Sequence, residues 1–459
     1  MKKESYAPKV TVYIANYNYL RFLNEAIQSI LAQNFSNWEL IIILDGAVDN
    51  SEQLSFEYAK RYPSKIKVLK NSQRQGLQHS ANKAIANANG EYIIRLDPDD
   101  YLNESAFRLL STYLDDHQEV SMVYSDYFYI SSDGDILDID ERKKLGHEDS
   151  AFDLPAHGAC AMYRTEVLKK YGGYSEEFNA QDGYDVWYKF LEKKEIANIK
   201  TPLFYYRQHK SSLSQNSERI LKQRQKIKRH YAERAKQKFN KIAFVIGAKK
   251  DFHAHKNILD HKIFSRTLFE HTLHQARNLR REGSNIIIST DNPNLKNYLN
   301  EDEILHIRNT SLNDDYATVD DVIFDATKQL EEKFNYFPDV IVFLNCLTPL
   351  RSAENVQEGI DTLLLHKFDS VISVYEDFDL HFFHSTTGLE PISKRRHMEL
   401  RIEREALYVD NRSFLVSLRK GITKSSSRGS RIGHVVMDRD MSDRITSPQD
   451  LSKIKMKLQ

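Results

Sequence analysis

Apolar runs recur along the chain at intervals that leave room for a helix between them. In the first half they are "KVTVYIA" (9 to 15), "WELIIIL" (38 to 44), "KIKVLKN" (65 to 71), "EYIIRL" (91 to 96) and "VSMVYSDYFYI" (120 to 130). Between the first two, Leu20, Phe22, Leu23, Ala26, Ile27, Ile30 and Leu31 fall at helical spacing, which predicts an amphipathic helix. A second series follows: "KIAFVIGA" (241 to 248), "SNIIIST" (284 to 290), "DVIVFLN" (339 to 345), "DSVISVY" (369 to 375) and "EALYVDN" (405 to 411), with helical stretches such as "VDDVIFDATKQLEEKF" and "AENVQEGIDTLLLH" between them. Strands alternating with helices predict mostly parallel sheets covered by helices on both faces. The expectation is therefore two Rossmann-like α/β domains in series, 1–215 and 241–459, with no close internal repeat between them. Ligands of such sheets bind beyond the carboxyl ends of the strands. That rule lines up Asn16 to Asn18, Asp45 and Asp97 to Asp100 along one rim.

The segment joining the two series, 216–240, contains "NSERILKQRQKIKRHYAERAKQKF", polar, basic and free of Gly and Pro. It reads as a solvated connecting helix, the alternative being a surface for anionic lipid or phosphate. Over the whole chain of 459 residues, 65 Lys and Arg balance 65 Asp and Glu, so no global field points to nucleic acid. Cys160 and Cys346 lie too far apart in sequence for a disulfide framework or zinc-ligand spacing, which suits a reducing compartment. The N-terminal "MKKESYAPKVTVYIANYN" lacks the apolar core of a signal peptide, and no apolar run is long enough to span a bilayer. The expected location is cytoplasmic, with at most peripheral contact to the inner face of the membrane.

The hexapeptide "RLDPDD" (95 to 100) sets three carboxylates within four positions at the end of an apolar run. Like charges this close repel unless a cation or hydrogen-bond donors compensate. Alone, the stretch reads equally as a solvated Asp-Pro turn. Its context changes that: "VTVYIANYNYLRFLNEAIQSILAQNFSNWELIIILDGAVDNS", then "QGLQHSANKAIANANGEYIIRLDPDD", then "HGACAMYRTEVLKKYGGYSEEFNAQDGYDVWYKF" and "YYRQHKSSLS". Together, over residues 8 to 215, these resemble the family 2 glycosyltransferases of the GT-A fold. That family's usual forms are P-T-Y-N, D-D-G-S-T-D, G-E-Y-I-x-x-L-D-A-D-D, E-D-x-D-L-W and Y-R-x-H.

The resemblance implies an inverting transfer of a sugar from a nucleotide-sugar donor, a UDP-sugar, to a glycan or lipid-linked acceptor, with Mg2+ or Mn2+ as cofactor. A divalent cation held by carboxylates neutralises the departing diphosphate. Carried over residue by residue, the metal ligands are Asp99, Asp100 and His209, while Asp97 completes the D-x-D signature on the donor. Asp45 matches the position that pairs with the base, Tyr17 lies beside that base, and Arg207 closes on the diphosphate. The chain departs from the family where Leu44 replaces the first Asp of D-D-G and where Ala15-Asn16-Tyr17-Asn18 replaces P-T-Y-N. An inverting transfer also needs a base for the acceptor hydroxyl. In "QDGYDVW" (181 to 187) Asp182 follows the family's acidic pair, and Asp185 is the alternative, read otherwise as a first-turn residue favourable to the helix dipole.

The second half resembles the CMP-sugar synthetases, cytidylyltransferases that activate sugar acids. The matching segments are "NIIISTDN", "PDVIVFLNCLTPLRSAENVQEGIDTLL", "FDSVISVYEDFD", "EALYVDNRSFL" and "RIGHVVMDRDMSDRITSPQDL", spanning residues 241 to 455. The family's glycine-bearing triphosphate loop is here "AKKDFHAHKN" (248 to 257), without glycine, and Asn345 stands for its Gln. Arg444 and Thr446 occupy the places of two metal-binding Asp residues, although a shifted alignment brings in Asp440 and Asp443. An Arg at a metal position opposes the charge that the chemistry needs. The expectation is a degenerate domain serving as scaffold, binding module or homodimer surface. The alternatives are a bifunctional enzyme that also makes a CMP-sugar, and a non-catalytic glycan- or nucleotide-binding protein.

Overall fold

The computed structural model describes residues 7–140, 158–178, 182–191, 195–209, 217–235, 239–251, 256–263, 265–312, 317–386, 388–392 and 407–457. The chain divides into two compact units, Met1–Ile227 and Lys228–Gln459. In the first, β1 (Val10–Asn16), α1 (Leu20–Leu31), β2 (Trp38–Asp45), α2 (Ser51–Arg61), β3 (Ile66–Asn71), α3 (Leu77–Asn87) and β4 (Tyr92–Arg95) alternate as the apolar pattern predicts. After them come β5 (Tyr101–Leu102), α4 (Ala106–Asp116), β6 (Met122–Ile130), β7 (Ile136–Asp140), β8 (Ala161–Arg164), α5 (Thr165–Lys170), α6 (Asp182–Leu191) and β9 (Ile196–Arg207). The basic polar run then forms α7 (Ser217–Arg234), within which the division between the units falls.

The sheet of the first unit runs β3-β2-β1-β4-β8-β6-β9-β5 with β7 on β6. Strands β1 to β4 are parallel, whereas β8 is antiparallel to both β4 and β6, and β6 and β9 are parallel again. Side-chain alternation sorts the core to the two faces. Val10, Val12 and Ile14 of β1 pack with Leu23, Ile27 and Ile30 of α1 on one face. Tyr13 packs with Ala81 and Ile85 of α3 on the other. Register then brings the strand ends level, pairing Asn16 with Leu44 and Asp45 with Asn71.

The second unit comprises β10 (Ile242–Ala248), the short ribbon β11 (Lys262–Ile263) and β12 (Arg266–Thr267), α8 (Leu268–Leu279), β13 (Asn285–Thr290), β14 (Ile304–Ile307) and α9 (Val319–Phe334). It continues through β15 (Val340–Asn345), α10 (Ala353–His366), β16 (Ser370–Asp377), the hairpin β17 (Phe382–Ser385) and β18 (Gly388–Pro391), β19 (Leu407–Leu418), β20 (Ile432–Val436) and α11 (Pro448–Lys457). Its sheet order is β14-β13-β10-β15-β19-β16-β20. Here β19 is antiparallel to β15 and β16, and the other pairs are parallel. Setting aside β5 and β7, both units therefore share one strand order, third-second-first-fourth-sixth-fifth-seventh, with the sixth strand reversed. The sequence shows no repeat, yet the fold contains one. Topology depends on pattern and connection, which two unlike sequences can share.

Candidate active site

The rim of the first sheet starts at Asp45, the last residue of β2. Its Oδ1 accepts hydrogen bonds from the Asn71 Nδ2 and the Gln75 N–H, each at 2.8 Å, and its Oδ2 accepts one from the Gly76 N–H at 2.8 Å. The carboxylate, 4% exposed, thus anchors the loop between β3 and α3. Gly46 follows at φ +70, and a Cβ there would lie 2.6 Å from the Arg74 backbone nitrogen. Only glycine permits that approach in that conformation. The anchored loop carries Arg74, whose guanidinium lies 4.1 Å from the centre of the Tyr17 ring. Tyr17, just beyond β1, is half-buried and Arg74 is exposed.

Asp97, Asp99 and Asp100 follow β4, and each carboxylate meets a different environment. Asp97 forms a two-pronged ion pair with Arg95, Nε to Oδ1 at 2.6 Å and Nη2 to Oδ2 at 2.8 Å. Asp99 presents Oδ2 to His209 Nε2 at 2.9 Å. Asp100 is 1% exposed; its Oδ1 accepts from the Arg207 N–H at 2.8 Å, while its Oδ2 has no hydrogen-bond partner among the described residues. Burial above all, with the charges of Asp99 and Asp97 added, raises the Asp100 carboxyl well above the usual carboxylate range.

Arg207, the last residue of β9, is 2% exposed, and its guanidinium is engaged by the protein. Nε donates to the Asp99 carbonyl at 2.8 Å, Nη1 to the carbonyls of Ser131 and Ser132 at 3.3 and 3.0 Å, and Nη2 to Glu25 of α1. The guanidinium also lies 4.9 Å from the centre of the Phe22 ring. His209 stacks on that ring at 5.3 Å and meets Tyr19 edge-on at 6.0 Å. The Tyr19 hydroxyl is pushed up to about 12, by burial first, then by Asp99, Asp97 and Asp100, with Arg74 opposing.

Residues 11–172 match Glycosyl transferase family 2. EpsE of Bacillus subtilis (strain 168), a protein whose name places it among the glycosyltransferases, is 30% identical over 194 residues, which cover 40% of this chain and 68% of EpsE. The chain belongs to glycosyl transferase family 2. The minor teichoic acid biosynthesis protein GgaB of the same organism is 35% identical over 132 residues, covering 28% of this glycosyltransferase and 15% of GgaB. Among solved structures, Staphylococcus aureus TarS 1-349 in complex with UDP-GlcNAc aligns with a TM-score of 0.42 and 18% identity, over 50% of this chain and 68% of that one.

The donor set at the rim suits a single hard cation. Among the described residues no group of three or more His, Cys, Asp or Glu side chains forms a ready-made metal cage. Asp99 and His209, in contact with each other, offer one oxygen and one nitrogen. That leaves most of a six-coordinate shell to phosphate oxygens and water, the usual division for Mg2+ or Mn2+ at a nucleotide. Asp100, grouped with them by sequence, is buried, with Oδ1 on the Arg207 N–H and Oδ2 without a hydrogen-bond partner among the described residues.

In the segment expected to serve the acceptor, the backbone of Asp182 opens α6, while its side chain and Gln181 lie outside the described residues. Asp185 is 2% exposed; its Oδ2 accepts from the Ser175 N–H at 3.1 Å and pairs with Lys189 at 3.0 Å. It pins the Gly172-Gly173 turn against α6. Gly173, at φ +59, would drive a Cβ to 2.4 Å from Asn82 Oδ1. The acceptor stretch 133–157 is described only to residue 140, and the closing segment 205–214 only to residue 209.

Sequence reading passed over Arg74, Glu25 and Asp49. Asp49 accepts from the Leu20 N–H at 3.0 Å and from the Ser51 N–H at 3.1 Å, holding the starts of α1 and α2 together. An Asp just ahead of a helix is a readable capping signal; its second helix, 29 residues earlier, is not.

In the second unit the counterpart rim is differently furnished. Asn345 is committed to backbone, Oδ1 accepting from the Leu347 N–H at 3.0 Å and Nδ2 donating to the Arg412 carbonyl at 3.1 Å. Asp440 and Asp443 both pair with Lys457 of α11, at 2.7 and 2.8 Å. Arg444 is half-buried. Of the stretch 248–257, residues 252–255 lie outside the described residues.

Proposed function

We propose that this glycosyltransferase moves a sugar from a UDP-sugar to a hydroxyl of a surface-glycan acceptor with inversion, using Mg2+ or Mn2+ at Asp99 and His209. The observation that carries the reading is the contact of Asp99 with His209 on the same rim as Tyr17. It puts a hard-cation donor pair on the sheet edge that also offers an aromatic platform. The cation supplies charge neutralisation to the departing diphosphate. Tyr17 stacks on the base, and the Asp45-anchored loop closes that end. Asp97, held by Arg95, completes the D-x-D signature on the donor. Asp182 takes the proton from the acceptor hydroxyl. The names of relatives such as the minor teichoic acid biosynthesis protein GgaB support a cell-surface polymer as acceptor. Among the described residues no helix is long and apolar enough to cross a membrane.

For the second unit the reading is a cytidylyltransferase-like domain without nucleotidyl transfer, kept as scaffold and homodimer surface. Its shared strand order and the capture of Asp440 and Asp443 by Lys457 support this.

Donor hydrolysis across a panel of nucleotide sugars with Mn2+ tests the main reading. Turnover is expected with a UDP-sugar, abolished by chelation. Asp99→Asn should lower it by about a hundredfold or more with the melting temperature preserved. Asp182→Asn should cost transfer about a hundredfold while nucleotide binding stays intact. Full transfer by either variant would sink the assigned role.

A further inference from the structure

The acidic loop supplies negative charge to one side of the cleft, and a diphosphate donor brings more. A single divalent cation at Asp99 and His209 leaves the far side of that diphosphate to be matched by the protein. On the opposite side, past β1 and β2, stands Arg74. Its guanidinium rests on the Tyr17 ring, 4.1 Å from the ring centre. The residue is exposed, and among the described residues it has no ion pair. The backbone beneath it is fixed by the Gln75 and Gly76 N–H groups on Asp45 and by the close approach of Gly46 to its own nitrogen. An exposed guanidinium on an anchored backbone beside an aromatic platform is suited to receive phosphate.

Asp45 deepens the case. Its carboxylate accepts from the Gln75 and Gly76 N–H groups, so it holds the loop and its arginine at the cleft. An exposed cation–π contact is weak. A base stacking on Tyr17 displaces the guanidinium at small cost, and the freed fork meets phosphate oxygens with charge-assisted hydrogen bonds, which are roughly twice as strong as neutral ones.

We propose that Arg74 is a donor-binding residue: parked on Tyr17 in the free protein, it moves onto the diphosphate of a nucleoside diphosphate donor from the side opposite Asp99. This rests on the reading of the rim as the nucleotide-sugar site. The test is calorimetry on the full chain with MnCl2, first with UDP, GDP and CDP, then with the nucleoside of whichever binds. Arg74→Ala, at an exposed position, should weaken diphosphate binding about tenfold and leave nucleoside binding within about twofold or slightly tighter, because the platform is uncovered. Arg74→Lys should recover part of the loss, as a charge without the fork. Wild-type protein that binds a diphosphate while Arg74→Ala binds it equally well overturns this inference alone. Equal losses for diphosphate and nucleoside also overturn it, since Arg74 would then serve the platform. Failure of the wild type to bind any of the three diphosphates overturns the site reading and the inference together.

Discussion

Asp100 carries a buried carboxylate oxygen with no hydrogen-bond partner among the described residues, and the Arg207 N–H holds only the other oxygen. Its folded carboxyl sits well above the ordinary carboxylate value, through burial and then the neighbouring negative charges of Asp99 and Asp97. The sign of the linkage follows. A carboxyl with a raised folded pKa keeps its proton in the fold after the unfolded chain has lost it, so stability falls as pH rises from the ordinary carboxylate range through the folded pKa. Asp100→Asn removes that charge and still offers Oδ1 to the Arg207 N–H. The variant should melt higher than wild type near pH 7, by on the order of 2–4 °C for each kcal/mol recovered. The two should converge toward pH 4. Melting curves between pH 4 and pH 8 without divalent cation read this; a difference that shrinks with rising pH would contradict the assignment. The sequence displays three equivalent aspartates here. Their separation into an ion-paired, a histidine-facing and a buried carboxylate depends on contacts reaching residues 107 and 110 positions away, which no local pattern encodes.

At the level of elements, the four leading strands and their helices are legible because each carries its period within itself. The carboxyl-edge rule then finds Asp45 and the acidic loop without a structure. What the pattern misses is β8, whose four residues, Ala161–Arg164, are too few to show alternation and which is defined by its two antiparallel neighbours. It also misses how the acidic loop is held. Arg207 ties that loop to α1 through Glu25 and to the turn between β6 and β7 through Ser131 and Ser132, with its guanidinium committed to the protein. It thereby fixes the position of Asp99. Arg207→Lys cannot reach all these acceptors and should raise the Mn2+ concentration for half-maximal activity about tenfold, with a smaller fall in kcat at saturating metal. It should also destabilise the fold by on the order of 1–3 kcal/mol, through buried carbonyls left without a donor. Glu25 is 51% exposed, so Glu25→Gln separates the two effects: the same direction of change in metal requirement at nearly unchanged melting temperature. A loss of kcat with an unchanged metal requirement in both variants would favour direct contact of Arg207 with the diphosphate.

Across the whole molecule, two sheets of one strand order carry rims of opposite character. The first ends its strands on Asp45, Asp97 and Asp99, with His209 alongside. The second has Asn345 turned to backbone and its nearest acid pair, Asp440 and Asp443, bound to Lys457. The ammonium of Lys457 competes with any cation the pair would hold. Nucleotidyl transfer from CTP needs a divalent cation to neutralise the departing pyrophosphate. The full chain, given CTP, Mg2+ and a panel of 2-keto sugar acids, should therefore release no pyrophosphate above background. Lys457→Ala frees the two carboxylates but leaves Arg444 in place and restores no glycine to the stretch 248–257, so it should remain equally silent. Asp99→Asn in the same assay removes the first unit's cation site as a source of signal. Pyrophosphate released at enzymatic rates by Asp99→Asn, and dependent on a sugar acid, would establish a second active site and make the shared fold a pair of working enzymes.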